Sequence, residues 1–334
     1  MRVPLPAAIM TTSTAGKDAT VVLLRFSEWF ELTGMPLLKS WLARYRLQSK
    51  ARQITPIISA PPRVWLWGLG LALALGGCSA LRLSYNNAPT LLYWWLDGYA
   101  DFDKSQGAQT RAELSKLVDW HRKEEMPRIA DLLESAQSMA SGNVTGPQVC
   151  ELYEKTMARM DALSERVLPS AAAIVPTLTQ AQLDFMAKAF EKKTKKWRED
   201  YRRADKFTER TEDFYGALSS PQLQQLHAAL HQTKEEENLY FSEVTRRQKL
   251  GLSTLAGLKK ADSATALIAL KAWNAQWQHS SDVVYQDFKI RSTAQTCKAL
   301  AQLHNSASPK QRKKLIATLQ SYQQEAMLLH RETI

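Results

Sequence analysis

Leu178-Thr179-Gln180-Ala181-Gln182 has a pattern that occurs at three other places in the chain. Each copy has an apolar residue, then Ser or Thr, then two residues and Gln. At a helix N-terminus the hydroxyl accepts a hydrogen bond from a backbone N–H of the first turn, and the Gln side chain bonds back to the N–H of the cap residue. The pattern therefore predicts four helix starts, with the cap pairs Thr145 and Gln148, Thr179 and Gln182, Ser219 and Gln222, and Ser308 and Gln311.

Apolar residues spaced three and four apart predict long amphipathic helices around these starts. One such stripe runs from Leu114 to Met139 and predicts a helix over about 108–141, ended by Gly142. Others follow the caps over residues 183–204, 223–255 and 315–329. Because long helices joined by short turns pack as antiparallel neighbours, we expect an all-α fold, an antiparallel bundle of five to seven long helices over residues 106–334.

An uncharged apolar stretch, Val64–Leu75, follows Arg63 near the other end of the chain. It is shorter than the ~20 residues that a membrane-spanning helix needs, which is typical of the apolar region of a signal peptide. The alternative is a buried core helix with an ordinary cysteine. Glycines within the stretch and the pair Gly76-Gly77 argue against a packed helix.

The residues that close this stretch resemble the bacterial lipobox, with Leu75 at −3, Gly76 and Gly77 at −2 and −1, and Cys78 at +1. The resemblance implies cleavage before Cys78 and a covalent lipid on its sulfur, with residues 63–77 forming the apolar region and the lipobox. Two or more acyl chains anchor a protein stably, whereas one chain binds reversibly. Ser79 stands where Asp signals inner-membrane retention in enterobacteria, so we expect the inner leaflet of the outer membrane, with the domain facing the periplasm. No cofactor is expected beyond this lipid.

Residues 1–62 form a basic leader with eight Lys or Arg and three Asp or Glu. Such a leader is long for a signal peptide, which suggests either an over-extended gene model, with Met35 as one alternative start, or a cytoplasmic segment that is removed. Residues 78–105 form a linker rich in aromatic residues, among them Tyr93, Trp94 and Tyr99. These rings either lie at the membrane interface or dock on the helical domain.

Without residues 1–77 the net charge falls from +11 to +5, because 35 Lys and Arg then face 30 Asp and Glu. The basic run Lys192–Arg203 alternates cations with Trp197 and Tyr201, as nucleic-acid grooves do, but on a helix the aromatics share the apolar stripe. We therefore expect a solvated face and no nucleic-acid partner. A second basic cluster, Lys310–Lys314, lies at a helix start, where the dipole disfavours cations, and indicates contact with lipid headgroups or an acidic protein.

Candidate catalytic residues are scarce. Cys150 and Cys297 lack metal-ligand spacing, and either form a disulfide that closes a very long loop or are two separately buried thiols. His227 and His231 stand four apart but lack the glutamate of a zincin motif and a third ligand, so no metal site is expected. His121 lies on the stripe of the first long helix and is expected to be an interior histidine. The sequence therefore favours a protein that is not an enzyme.

Two resemblances bear on function. The aromatic block around Tyr93 and the sequence Trp120-His121-Arg122 resemble an uncharacterised family of Gram-negative helical lipoproteins. This resemblance implies a lipid anchor in the membrane and a helical fold. The helix-start pattern is similar to the Leu-Thr-x-x-Gln motif of Spy-type periplasmic chaperones, which implies binding of unfolded clients. We expect a structural or interaction protein of the cell envelope with other envelope proteins as partners, the alternative being a Spy-like chaperone.

Overall fold

The computed structural model describes residues 82–332, so the leader, the lipobox and Cys78 lie outside the described residues. Over that range the chain forms eleven α-helices and no strand, which confirms the all-α prediction. The helices are α1 Ala88–Ala100, α2 Lys104–Trp120, α3 Met126–Ala140, α4 Gly146–Ile174, α5 Gln180–Glu199, α6 Arg203–Tyr215, α7 Ser220–Leu230, α8 Lys234–Gly257, α9 Ser263–Gln278, α10 Val283–Asn305 and α11 Pro309–Arg331. None of the helices between residues 82 and 332 is long and apolar enough to cross a membrane.

The chain divides into two compact units, residues 1–91 and residues 92–334. The described part of the first unit is helical at residues 82–86, and the Asn87 side chain donates to the Leu83 carbonyl at 2.7 Å.

The expected number of helices, five to seven, is too low because two apolar stripes that predicted continuous helices are interrupted. The stripe over 183–204 breaks after Glu199, and α6 begins at Arg203. The stripe over 223–255 breaks at His231. There Thr233 and Glu236 form a further capping box that opens α8, with the Thr233 side chain bonded to the Glu236 N–H and the Glu236 carboxylate to the Thr233 N–H.

The helix expected over 108–141 is present from Lys104 to Ala140, but a π-helical turn, His121–Glu125, separates α2 from α3. The turn precedes Pro127, which has no N–H to donate to an α-helical ladder and whose ring crowds the carbonyl four residues earlier. A π turn accommodates the missing hydrogen bond and the proline ring without ending the helix. It places both His121 and Glu125 in the interior.

Helix α4 is the longest of the described helices, with 29 residues, which corresponds to about 43 Å at 1.5 Å per residue. Two helices pack against it in succession, α10 along its N-terminal half and α9 along its C-terminal half. Leu168 and Ala172 of α4 form an apolar cluster with Ala266 and Leu270 of α9. Helix α11 packs antiparallel to α3, and their cluster includes Ala140 and Leu315.

Helix α1 lies within the region predicted as an aromatic linker. Tyr93 and Tyr99 are 6% and 5% exposed, and the Tyr99 ring lies 5.4 Å from the ring of Phe190 on α5. Of the two arrangements considered for this region, these residues therefore show docking on the helical domain. Trp94 remains 43% exposed.

Candidate functional site

All four cap pairs found in the sequence form capping boxes. Thr145, Thr179, Ser219 and Ser308 each accept a hydrogen bond from the N–H of the Gln three residues on, and that Gln side chain bonds back to the N–H of the cap. A further box, Asp103 with Gln106, opens α2. The sequence search missed it because it required Ser or Thr at the cap, although a carboxylate accepts the same bond.

The boxes of α2 and α5 are bonded to each other through their buried glutamines. Gln182 Nε2 donates to Gln106 Oε1 at 2.6 Å and to the Asp101 carbonyl at 2.8 Å. Gln106 Nε2 donates to the Thr177 carbonyl at 3.0 Å. Each side-chain oxygen also accepts the N–H of its own cap residue, at 3.0 Å for Gln106 and 2.9 Å for Gln182. Two helix starts that are distant in sequence are thus joined by one polar unit.

The boxes of α7 and α11 are joined in the same way. Gln311 Nε2 donates to Gln222 Oε1 at 3.0 Å and to the Ala217 carbonyl at 3.0 Å. Gln222 Nε2 donates to Gln311 Oε1 at 3.2 Å and to the Ser306 carbonyl at 3.2 Å. In both units every Gln reaches the carbonyl two residues before the cap of the other helix. We call these units the first double box, on α2 and α5, and the second double box, on α7 and α11.

The box of α4 is different, because Thr145 and Gln148 are both exposed and bond only to each other in the described structure. Its helix is held instead by the disulfide between Cys150 and Cys297, which joins α4 to α10 across 147 residues with Cα atoms 5.4 Å apart. Of the two alternatives left open by the sequence, the structure shows the disulfide.

The turn between α3 and α4 is clamped by side chains from α10 and α11. The Asn305 amide bonds to both the N–H and the carbonyl of Val144, each at 2.9 Å. His304 Nε2 donates to the Gly142 carbonyl at 2.8 Å, while its Nδ1 accepts from the Tyr215 hydroxyl at 3.0 Å. Arg312 Nη1 donates to the same Gly142 carbonyl at 2.8 Å. Arg312, one of the predicted contact residues, therefore has a structural partner.

The state of His304 follows from these bonds. A carbonyl can only accept, so Nε2 carries a proton. Because the pKa of His304 is lowered, the ring is neutral at pH 7 and Nδ1 accepts from the Tyr215 hydroxyl. Burial lowers the pKa of His304; the hydrogen bond to the Gly142 carbonyl opposes this shift, and the nearby Arg312 charge adds to it. The ring is thus suited to a structural role at neutral pH.

A buried carboxylate, Glu243 on α8, is the centre of an ion-pair cluster that sequence reasoning missed. It is 3% exposed and bonds to Arg246 Nε and to Arg247 Nε, each at 2.6 Å. Burial raises the pKa of Glu243, but the hydrogen bonds from the two arginines outweigh it, and the net pKa is lowered. Arg247 also lies 5.4 Å from the ring of Trp277. Two arginines share one carboxylate, and contacts of Arg246 with Ser280 and of Arg247 with Trp277 tie α8 to α9 and the turn after it.

A cleft of about 270 Å³ lies between α3 and α4 and contains the cations Arg128, Lys155 and Arg159. Arg128 and Arg159 both contact one oxygen of buried Glu125, at 2.7 and 3.7 Å. Lys155 pairs with Glu151 at 2.7 Å. Arg128 also lies 3.7 Å from Glu124, so the three cations face three carboxylates and leave no net charge with which to hold an anion.

The predicted basic face of α5 is largely as expected, with Lys192, Lys195 and Lys196 exposed and Trp197 buried. Lys193 is the exception. Its ammonium lies 3.1 Å from the centre of the Tyr99 ring and donates to the Gly98 carbonyl at 3.3 Å. Burial lowers the pKa of Lys193 to about 8.

The remaining histidines do not converge on a site. His227 Nε2 lies 3.1 Å from the Thr208 hydroxyl, and both His227 and His231 are exposed. His121 is buried, and its burial lowers its pKa to about 4. Within residues 82–332 no three His, Cys, Asp or Glu side chains come together as metal ligands.

Comparison with known proteins gives one match. No curated protein and no solved structure matches the chain significantly. One family model matches residues 98–281, just over half of the chain. The matched residues run from the end of α1 through α9 and include the first double box and the box of α7. The chain therefore belongs to a family of unknown function, DUF6279.

Proposed function

We propose that this protein is a lipid-anchored lipoprotein of the Gram-negative envelope, whose periplasmic helical domain is a rigid scaffold for other envelope proteins rather than an enzyme. The observation that carries the proposal is the disulfide between Cys150 and Cys297. Structural disulfides persist in oxidising compartments such as the periplasm and are rare in the bacterial cytosol. The disulfide and the lipobox at Cys78 are independent features, and both indicate export.

The scaffold role is supported by how the buried polar groups are used. The paired glutamines, His304 and the Glu243 cluster bond to groups on neighbouring helices or to turn carbonyls. Satisfied buried networks of this kind fix helices in one arrangement. These bonds fix the positions of the helices relative to one another. The exposed helix faces are therefore held in one rigid arrangement.

The lipid anchor is tested by metabolic labelling with alkyne palmitate and membrane fractionation of the wild type and Cys78→Ala. We expect label and outer-membrane residence in the wild type and loss of both in the variant. Ser79→Asp serves as a matched control, since it should keep the label and move the protein to the inner membrane. A Cys78→Ala protein that fractionates like the wild type would contradict the proposal.

A Spy-like chaperone is the second candidate, favoured by exposed aliphatic side chains on α9 and α10. Ile268, Val283, Val284 and Ile290 are 61–71% exposed, which is unusual for aliphatic residues and offers apolar surface to an unfolded chain. The assay is light scattering of a chemically denatured client diluted into the purified protein. Suppression of aggregation that is lost in Val283→Ser with Ile290→Ser supports the chaperone; no suppression supports the scaffold.

A further inference from the structure

The hairpin of α10 and α11 has an unusual charge distribution. Between Asp287 and Glu325 there is no acidic residue, while seven are Lys or Arg. The chain as a whole has 33 Asp and Glu among 334 residues, so about three or four would be expected in a segment of this length. The hairpin is therefore a strongly basic element.

The structure brings this hairpin together with two other segments that lack acids. The second double box joins the start of α11 to the start of α7, and Asn305 joins the end of α10 to the turn before α4. Residues 141–150 and 216–233, which include those two turns, contain no Asp or Glu. One end of the bundle therefore combines three turns whose own residues include no Asp or Glu; the Glu212 carboxylate reaches one of them from α6 and accepts the Leu218 N–H at 3.1 Å.

Four lysines project from this end, and we call them the lysine end: Lys298, Lys310, Lys313 and Lys314. All four are exposed, and in the described part of the chain none has an ion-pair or hydrogen-bond partner. Lys310, Lys313 and Lys314 are spaced i, i+3 and i+4, which puts them on one face of α11. Their charges are available to a partner.

The larger apolar residues in the turns of this end and at the start of α11 are mostly buried. Val144, Leu218 and Leu315 are each 8% exposed. A protein interface depends on a few aromatic or aliphatic side chains that become buried in the partner. Val144, Leu218 and Leu315 cannot act in this way, because they are already buried within the protein. Ammonium groups are compact point charges that bind phosphates, and their contributions at an anionic bilayer add up without an apolar anchor.

We propose that the lysine end binds the phosphate-bearing headgroups of an anionic lipid surface. This site is separate from the covalent lipid on Cys78, and the proposal stands whether or not that lipid is attached. Each lysine near an anionic bilayer contributes about 1 kcal/mol, so three of them correspond to an effect on the order of 100-fold in affinity.

The test is flotation of the mature chain, residues 78–334 carrying Cys78→Ala, with vesicles of phosphatidylcholine alone or of an equal mixture with phosphatidylglycerol. The apolar stretch 64–75 and the basic leader are left out because both would bind vesicles by themselves. The variant Lys310→Gln, Lys313→Gln, Lys314→Gln should bind the anionic vesicles on the order of 100-fold more weakly than its parent. A matched control exists on α5, where Lys192, Lys195 and Lys196 have the same spacing and are also exposed. Replacing those three by Gln should leave binding within about threefold of the parent, because Glu191, Glu199 and Asp200 lie beside them.

A triple Lys→Arg variant at 310, 313 and 314 keeps the charge and should retain binding, which separates a charge effect from a folding defect. Equal binding to both vesicle types, or equal losses from the two triple Gln variants, would overturn the proposal. Binding to an acidic protein but not to anionic vesicles would also overturn it.

Discussion

Gln182→Met tests the first double box, because methionine keeps the length of the side chain and removes its hydrogen bonds. Three bonds of 2.6–2.9 Å are lost: those from Nε2 to the Asp101 carbonyl and to Gln106 Oε1, and the one that Oε1 accepts from the Thr179 N–H. Two longer bonds to Oε1, from the Thr179 hydroxyl at 3.1 Å and from Gln106 Nε2 at 3.4 Å, are lost with them. At about 1 kcal/mol for each bond, and with buried partners left unsatisfied, the free energy of unfolding should fall by about 2–4 kcal/mol.

The matched control is Gln148→Met. Gln148 forms the same local box with Thr145, but it is exposed and has no partner from another box. Its replacement should cost about 1 kcal/mol or less. The difference between the two variants measures what the pairing of helix starts adds to a simple cap.

The assay is urea unfolding followed by circular dichroism, extended to a double-mutant cycle with Gln106→Met. Because Gln106 and Gln182 bond directly, the double variant should lose about 1–2 kcal/mol less than the sum of the single variants. Equal costs at positions 182 and 148, or strict additivity in the cycle, would refute the idea that the paired boxes act as one unit.

Three further predictions concern buried groups. Replacing Cys150 and Cys297 together by Ala opens a loop of 147 residues and should lower the free energy of unfolding by up to about 5 kcal/mol in urea; reductant should then destabilise only the wild type. Burial lowers the pKa of His121 to about 4 from 6.5, so the unfolded chain takes up the proton first as the pH falls. Stability should therefore drop by about 3 kcal/mol between pH 6.5 and 4, and thermal melts of His121→Gln should lack this component. Glu243→Gln leaves two arginines without their buried partner and should cost about 3 kcal/mol in urea unfolding, whereas Glu151→Gln, at an exposed pair, should change nothing measurable. Equal effects at positions 243 and 151 would show that the buried cluster does not hold α8.

Helix starts could be predicted from the sequence because capping is local. Thr179 and Gln182 lie three residues apart, and their bonds depend only on the backbone of one turn. Asp103 and Glu236 make equivalent bonds, and a search that allowed carboxylates at either position would have found both boxes. A pattern with Ser, Thr or Asp at the cap and Gln or Glu three residues later therefore identifies these helix starts from the sequence.

Breaks between helices are harder to predict, because apolar residues keep their spacing of three and four across them. Trp197 and Tyr201 keep the spacing of a helix, yet α5 ends at Glu199. The Tyr201 hydroxyl donates to the Gln232 side chain in the turn before α8. The residues of the break therefore contact a distant segment of the chain. Pro127 is a local signal for the π turn at 121–125.

The pairing of one capping box with another cannot be predicted from the local sequence. Gln106 and Gln182 are 76 residues apart, and nothing in either sequence window shows that their amides meet. The same holds for Cys150 and Cys297, whose sequence context favoured two separately buried thiols over the disulfide that the structure shows. Such contacts depend on how α4 aligns its neighbours, which is a property of the whole bundle.

The most direct test of the central claim is the intact mass of the protein purified from the membranes of a Gram-negative host. We expect a chain that begins at Cys78, with the mass of residues 78–334 plus attached acyl groups and minus two hydrogens for one disulfide. A chain that retains residues 64–77, has no lipid and has free Cys150 and Cys297 would contradict it.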